Sequence, residues 1–278
     1  MSTIVNVSAY RFVSLTGLEA LRDTLRGWAE AKDLRGTILL GNEGINLFIA
    51  GTREGIDAFV MQLRSLAPFA DLEIKESPGA LRPFRRLQVK IKREIIAFGA
   101  PGINPAENPA PRVAPEQLRA WLDAGDSVVL LDTRNDYEVQ LGTFRQAQHL
   151  GLKAFREFPR ALDRLPAEWK QAKLVTFCTG GIRCEKAAPL LQRAGFTEVY
   201  QLDGGILRYF ERCGSAHYDG ECFVFDERVG VLPDLTPSGA ILCPRCQRPV
   251  TRAEHSAPHF APTNGCQACR EEGRAGVS

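Results

Sequence analysis

One short segment, CTGGIR at residues 178–183, combines residue types that together activate a thiol, and it lies between an apolar stretch, LVTF, and a helical pattern, CEKAAPLLQRAG. The two glycines allow successive backbone N–H groups to point inward, and the start of the following helix adds the positive end of its dipole. Such surroundings favour a thiolate, which is the attacking form of a cysteine. We therefore predict that Cys178 is a catalytic nucleophile. The predicted anion-binding loop comprises Thr179, Gly180, Gly181, Ile182 and Arg183.

Free cysteines are also among the most frequently buried residues, so the alternative for Cys178 is a structural role. The adjacent glycines, the helix start and Arg183 favour the reactive interpretation. Cys184 follows the loop directly. It is interpreted either as a resolving thiol for an oxidised Cys178 or as a packed residue of the first helical turn. The sequence assigns no role to Cys213 or Cys222.

Two charged residues follow another apolar run, VVLL, which reads as a buried strand. Asp132 and Arg134 would then lie at the same sheet edge as Cys178, where they could orient the loop or contact an anionic substrate. The alternative is a buried ion pair that stabilises the domain. That alternative is favoured for Asp132, and both interpretations stay open for Arg134.

The C-terminal region contains two Cys-x-x-Cys pairs, CPRC and CQAC, with nineteen residues between them. This spacing is typical of a tetrahedral four-cysteine zinc site, which would be structural because no coordination position stays open. The predicted ligands are Cys243, Cys246, Cys266 and Cys269. His255 and His259 could replace one pair, and metal-free thiols are the remaining alternative.

Basic residues are concentrated in the stretch RPFRRLQVKIKR, residues 82–93, which carries six positive charges and no acid. Phe84 offers a surface for base stacking within it, and alternation along a strand would place two of the lysines on one face. RNA binding and a lysine-protected edge strand both fit this pattern. The predicted RNA-binding residues are Arg82, Arg85, Arg86, Lys90, Lys92 and Arg93.

Overall composition is that of an ordinary globular protein: 278 residues, 44% hydrophobic, 24% charged, formal net charge +2. No apolar run has the roughly 18 residues that cross a bilayer, so no membrane association is expected. The N-terminus lacks the features of an export signal, which predicts a cytoplasmic location. In that reducing compartment the eight cysteines favour thiol chemistry and metal binding over disulfides.

The order of elements in the first part of the chain predicts a ferredoxin-like domain over residues 1–98. Strand-like and helix-like patterns alternate as β-α-β-β-α-β, with two helices on one face of an antiparallel sheet. Leu18, Leu21 and Leu25 mark the core face of the first helix. The segment NEGIN, residues 42–46, is predicted to be a turn between two strands.

A proline-rich segment, GAPGINPAENPAPRVA at residues 99–114, predicts a semi-rigid linker. Beyond it, continuous apolar strands alternate with helical patterns, which indicates an α/β domain with a parallel sheet over residues 115–215. In such sheets the active site lies at the carboxyl ends of the strands, where Cys178 is expected. Residues 216–278 are predicted to form a small Cys-rich C-terminal segment.

The loop CTGGIR, with DTRNDYE before it and LDGGI after it, resembles the rhodanese domain. A longer series of segments resembles the bacterial tRNA uridine(34) hydroxylase family along nearly the whole chain. In chain order these segments are GTILLGNEGIN, PFRRLQVKIKREI, DTRNDYEVQLGTF, FREFP, CTGGIRCEKAAPLL, GECFVFDERV and the terminal cysteine pairs. Where many members carry Gly-Thr after GIN, this chain carries Leu47-Phe48.

The resemblance implies oxygen-dependent hydroxylation of the wobble uridine of tRNA to 5-hydroxyuridine, with molecular oxygen as co-substrate. It also implies that Cys178 corresponds to a persulfide-bearing cysteine, and that the basic stretch contacts the anticodon region of tRNA. Neither a flavin fingerprint nor an iron-binding triad is readable in the sequence. A thiolate that adds to C6 of uracil would make C5 nucleophilic, which is our hypothesis for the chemistry.

Two other functions compete with this interpretation. The first is a sulfurtransferase that moves sulfane sulfur through a Cys178 persulfide. The second is a non-catalytic RNA-binding or scaffold protein, which the intact cysteine and arginine disfavour.

Overall fold

The computed structural model describes residues 4–79, 84–258, 260, 263 and 265–275. Contacts within the chain divide it into two compact units, Met1–Pro109 and Ala110–Ser278. Within the described residues, every helix is either too short or too polar to cross a lipid bilayer.

The first unit contains the predicted order of elements, β-α-β-β-α-β, followed by a fifth strand. The elements are β1 (Ile4–Phe12), α1 (Leu18–Glu30), β2 (Arg35–Gly41), β3 (Gly44–Thr52), α2 (Arg53–Arg64), β4 (Lys75–Gly79) and β5 (Leu87–Ile91). The sheet order is β4-β1-β3-β2-β5. The β4-β1-β3-β2 part is antiparallel as predicted, whereas β5 pairs parallel with β2 and makes the sheet mixed.

Apolar faces of both helices cover this sheet and form the core of the first unit. Leu18 and Leu25 of α1 are buried and Leu21 is partly buried, as their helical spacing predicted. In β3, Leu47 is completely buried opposite Ala9 of β1. Leu47 therefore contributes to the core of this unit, whereas Phe48 is only partly buried.

The turn between β2 and β3 fastens three segments of the first unit together. Gly44 has φ +143°, and a Cβ at this position would collide with the carbonyl oxygen of Arg11. The side chain of Asn46 donates to the Ile95 carbonyl at 3.0 Å, and the Glu43 carboxylate accepts the Ile95 N–H at 2.7 Å. These polar side chains of the NEGIN segment hold the chain that follows β5.

The second unit is built around a parallel five-stranded sheet. Its first elements are β6 (Arg112–Val113), α3 (Pro115–Asp123), β7 (Val128–Asp132), α4 (Asp136–Val139), β8 (Gly142–Phe144), β9 (Gln148–His149), α5 (Phe158–Ala161) and β10 (Lys173–Phe177). They are followed by α6 (Ile182–Arg193), β11 (Glu198–Leu202), α7 (Gly205–Cys213), β12 (Tyr218–Gly220), β13 (Cys222–Phe223) and β14 (Gly230–Val231). The sheet order is β6-β11-β10-β7-β9, and every pairing in it is parallel.

Two segments outside residues 115–215 belong structurally to this second unit. Strand β6 lies inside the predicted linker and pairs with β11. The sequence did not reveal this strand because two residues are too few to show a periodic pattern. Strand β12, inside the predicted Cys-rich segment, pairs with β8. Tyr218 and Cys222 are buried in the same core cluster as Phe177.

The last elements surround the terminal cysteines. They are β15 (Ile241–Leu242), β16 (Pro249–Val250), α8 (Arg252–His255) and α9 (Gln267–Ala275). β15 and β16 form a two-stranded antiparallel ribbon. Val250 and three of the cysteines are buried in a small cluster of their own.

Candidate active site

The loop after β10 forms a cradle around the sulfur of Cys178. The backbone N–H of Gly181 donates to Cys178 Sγ at 3.1 Å. Gly181 has φ +102° and is the N-cap of α6, so the chain turns directly from the cradle into the helix. A side chain at this position would be strained by the positive φ, which explains why the sequence has glycine here.

The start of α7 supports this loop from outside. The N–H of Ile206 donates to the Cys178 carbonyl at 2.9 Å, and the N–H of Leu207 donates to the Thr179 carbonyl at 3.1 Å. Gly205, with φ +68°, lies so close that an added Cβ would be 2.8 Å from the N atom of Gly181. The carbonyl groups of the loop therefore accept from α7, while the N–H of Gly181, in the loop itself, donates to the sulfur.

Cys178 is completely buried, and the pKa of its thiol is nevertheless lowered. Burial by itself raises the pKa of this thiol. Hydrogen bonding from the Cys184 thiol, the positive charge of Arg183 and the backbone N–H groups of Arg183 and Gly181 outweigh that effect and lower the pKa to about 5. The predicted activation of Cys178 therefore rests on a set of short-range donors inside the fold.

Arg183 makes a buried ion pair with Glu138, a residue that sequence reasoning missed. Its Nη1 and Nη2 atoms donate to the two carboxylate oxygens at 2.6 and 2.7 Å, and both side chains are almost inaccessible to solvent. The charge that Arg183 brings to the loop is therefore paired inside the fold. The guanidinium is neutralised by Glu138, and a single glutamate in DTRNDYE carried no signal of this long-range pairing.

Glu138 is itself fixed at the start of a short helix. Its carboxylate accepts the N–H of Asn135 at 3.0 Å, which closes the first turn of α4. The hydroxyl of Thr179 lies 3.4 Å from the same carboxylate. The cysteine loop and α4 are thus connected through one buried acid.

Asp132 and Arg134 form the buried pair that was one alternative from the sequence. Arg134 Nε and Nη2 donate to the Asp132 carboxylate at 2.9 and 2.6 Å, and neither side chain has exposed surface. Arg134 also donates to the Gly142 carbonyl at 2.7 Å, and Thr143 donates to Asp132 at 2.8 Å. The pair connects the end of β7 to β8, so its geometry matches a stabilising role for both residues.

The other cysteines of the second unit differ in their surroundings. Cys184 is completely buried, hydrogen-bonds the Cys178 thiolate and lies 3.8 Å from the Thr133 hydroxyl. Burial raises the pKa of Cys222 to about 12, so this thiol is protonated. Cys213 is buried at the end of α7.

Residues 222–225, predicted to belong to the tail, lie against the cysteine loop. The Thr179 hydroxyl donates to the Phe223 carbonyl at 3.2 Å. The guanidinium carbon of Arg183 lies 5.6 Å from the ring centroid of Phe225. The segment therefore forms one wall of the site, a contact between residues far apart in sequence that the local pattern did not reveal.

The four predicted metal ligands converge at the C-terminal cluster. Sγ of Cys243 lies 3.8 Å from that of Cys269, and Sγ of Cys246 lies 3.6 Å from that of Cys266. All four sulfurs lie within 4.8 Å of one another, an arrangement that can hold a metal ion. Of the alternative ligands, His255 instead bonds the Gly239 carbonyl through Nε2, and His259 lies outside the described residues.

Comparison with known proteins covers both units. Residues 4–95 match the UPF0176 acylphosphatase-like domain and residues 114–211 match the rhodanese-like domain. A curated protein of Cupriavidus necator named tRNA uridine(34) hydroxylase is 49% identical over 271 residues, covering 96% of each chain. The chain belongs to the tRNA uridine(34) hydroxylase family.

Further members of the family confirm this likeness over the full length. The tRNA uridine(34) hydroxylase of Ralstonia nicotianae is 48% identical, covering 96% of this chain and 97% of the relative. That of Burkholderia orbicola is 47% identical, covering 98% and 99%. The acylphosphatase-like and rhodanese-like matches also confirm the predicted fold class of the two parts.

The basic stretch of this family member lies at the edge of the first sheet. Arg85, Arg86, Lys90, Lys92 and Arg93 are exposed, and Arg82 lies outside the described residues. Val89 is buried and Ile91 packs against the core, while Lys90 and Lys92 at the alternate positions are exposed on the other face. Because β5 is an edge strand, this placement is compatible with both RNA binding and edge protection.

Proposed function

We propose that the protein hydroxylates C5 of the wobble uridine 34 of tRNA and that Cys178 is its catalytic residue. The observation that carries the proposal is the Cys178 loop, which stabilises a buried thiolate in a chain that resembles tRNA uridine(34) hydroxylases over its full length. Arg183 acts as a positioning residue whose ion pair with Glu138 holds the start of α6.

The proposed reaction uses the thiolate as a transient nucleophile. Cys178 Sγ forms a bond to C6 of uracil, and the C5=C6 electron pair becomes available at C5. C5 then attacks an electrophilic oxygen derived from molecular oxygen, while a two-electron reductant and two protons convert the second oxygen atom to water. Loss of the C5 proton expels the thiolate from C6 and restores the double bond. The family resemblance also implies a Cys178 persulfide, whose charge the same N–H groups would stabilise.

Access to the sulfur is a requirement of this mechanism. Cys178 has no exposed surface, so uracil reaches Sγ only when neighbouring groups move aside.

The remaining parts of the protein have supporting roles in this proposal. We assign the exposed basic residues 85–93 to the tRNA backbone, because a row of cations attracts phosphates without reading sequence. We assign zinc to the cysteine cluster. Zinc–sulfur bonds of about 2.3 Å in a tetrahedron separate the sulfurs by about 3.8 Å, and the observed separations of 3.6 and 3.8 Å match this edge. The cytoplasmic location stays a prediction.

Nucleoside mass spectrometry of tRNA tests the proposed function. In a strain that lacks the gene, the wild-type chain should restore 5-hydroxyuridine and its derivatives, while Cys178→Ala should not. Cys213→Ala, a buried cysteine at the far end of α7, is the matched control and should restore them. If Cys178→Ala restores 5-hydroxyuridine, the chemistry does not use this cysteine and the proposal is wrong. If the wild-type chain fails to restore it and instead transfers sulfur from thiosulfate, the protein is a sulfurtransferase.

A further inference from the structure

An exposed aromatic ring stands beside the cysteine loop. Among the described residues, the large hydrophobic side chains with substantial exposure are Met61, Phe225, Leu232, Ile241 and Leu242. Phe225 is the aromatic member of this set, and 46% of its surface is accessible. Exposing a ring of this size to water is unfavourable, so its position calls for an explanation.

The position of Phe225 is defined by contacts on the same wall of the site. Its ring lies 5.6 Å from the guanidinium carbon of Arg183, and the carbonyl of Phe223, two residues earlier, accepts the Thr179 hydroxyl. Thr179 and Arg183 belong to the loop that holds the Cys178 sulfur. Phe225 therefore stands at the rim of the reactive loop.

The ring is supported from below by other aromatic side chains. Phe223 packs against it edge-to-face, with centroids 5.1 Å apart at 83°, and Tyr137 packs against Phe223 at 5.2 Å and 79°. The backbone is also held, since the N–H of Val224 donates to the Val229 carbonyl at 2.9 Å. Phe225 is thus an exposed ring on a buried, well-packed base.

We propose that Phe225 stacks against the uracil at position 34 and positions it over the cysteine loop. This inference rests on the proposed function, because it takes tRNA as the substrate. A base that reacts with a thiol must leave the stack of the anticodon, and an aromatic ring replaces the lost stacking for any base. Stacking on an aromatic side chain contributes about 1–3 kcal/mol per base, which is roughly a 5- to 150-fold effect on affinity.

The test compares the binding of two anticodon stem-loop RNAs, one with uridine at position 34 and one with an abasic site there. The wild-type protein should bind the uridine RNA at least about fivefold more tightly. Phe225→Leu, which keeps apolar bulk but removes the ring, should bind both RNAs with the affinity that the wild type has for the abasic RNA. Phe225→Tyr should behave like the wild type.

Two controls make the outcome decisive. Leu232→Ala removes another exposed hydrophobic side chain of the same unit and should keep the preference for uridine. Alkylation of Cys178 by iodoacetamide reports on shielding of the thiol. If Phe225→Leu keeps the preference for uridine, stacking is wrong, and faster alkylation in that variant would identify the ring as a cover. The nucleoside analysis of the wild-type chain reports on the proposed function separately, since it does not involve Phe225.

Discussion

At the scale of single residues, the unusual feature is a buried thiolate whose nearest cation is already paired. Arg183 helps to lower the pKa of Cys178 while its two terminal nitrogens donate to the Glu138 carboxylate. The low pKa therefore depends on the Cys184 thiol, on the charge of Arg183 and on the N–H groups of Arg183 and Gly181. Short-range donors of this kind are insensitive to ionic strength because no salt ions come between them and the sulfur.

The low pKa of Cys178 predicts a specific pH profile. Because the folded protein lowers the pKa to about 5, the thiolate should be present at neutral pH and be lost only as the pH falls through about 5. The thiolate absorbance in the ultraviolet, taken as the difference between the wild type and Cys178→Ser, measures this titration. A midpoint near the ordinary cysteine pKa of about 8.5 would contradict the description of the site.

Removing Glu138 should destabilise the second unit strongly. Glu138→Gln leaves the buried Arg183 without its charged partner, and loss of one member of a buried ion pair costs about 3–5 kcal/mol. Urea unfolding should show a lower midpoint for this variant. The matched control, Glu116→Gln, breaks an exposed pair with Arg212 in the same unit and should leave the midpoint nearly unchanged. Equal effects of the two substitutions would refute the structural role given to Glu138.

At the scale of elements, the loop depends on the helix that follows β11. The first N–H groups of α7 bind the carbonyls of Cys178 and Thr179, which leaves the loop in one conformation. This approach is possible because Gly205 has no side chain and adopts a positive φ. Helix α7 is therefore as much a part of the site as α6.

Gly205→Ala should disrupt the cysteine loop more than Gly125→Ala, which introduces the same backbone strain far from the loop in sequence. An added methyl group at Gly205 would press on the Cys178 carbonyl and on the N atom of Gly181. Gly125, with φ +72° and no atoms within 4 Å of an added Cβ, is the control. Both variants pay the left-handed penalty of about 1–2 kcal/mol, but only Gly205→Ala should also shift the Cys178 titration upward. An unchanged titration in that variant would count against support by α7.

At the scale of the whole molecule, the C-terminal region differs from the rest in having its four cysteines at the centre of its small core. The two short strands β15 and β16 and the helices α8 and α9 surround few buried apolar residues, so a bound metal would supply much of the stability there. We expect about one zinc ion per chain by elemental analysis.

Cys246→Ser should lose this zinc and make the C-terminal region sensitive to protease, because a structural site uses all four ligands. Cys213→Ser, which changes a cysteine outside the cluster, should keep the metal. The Cys178 titration should be the same in both variants. Full zinc content in Cys246→Ser would show that the zinc is bound outside the cysteine cluster.

The basic edge of the first unit predicts a salt-dependent contact with tRNA. The double substitution Lys90→Ala/Lys92→Ala should weaken tRNA binding and reduce the slope of log affinity against log salt by about 1–2. Lys153→Ala/Lys170→Ala removes the same charge from exposed positions of the second unit and serves as the control. Equal slopes for the two double variants would assign the lysines of β5 to edge protection alone.

Local patterns were sufficient for the parts of this protein that are made by neighbouring residues. Glycine pairs, helix spacing and apolar strands identified the CTGGIR loop, the order of elements in the first unit and the convergence of four cysteines. The partners of the loop were not visible in this way. Glu138, Gly205 and Phe225 reach it from separate elements, and a single acid, glycine or phenylalanine carries no signal of such a contact.

The sequence by itself determined what kind of loop surrounds Cys178, because turn formation and helix dipoles are properties of consecutive residues. Only the tertiary structure decided which acid neutralises Arg183 and which ring stands at the rim. The contacts of Arg183 with Glu138 and with Phe225 join residues that lie 45 and 42 positions apart in the sequence. Their energies depend on distance and burial, which exist only after the chain has folded.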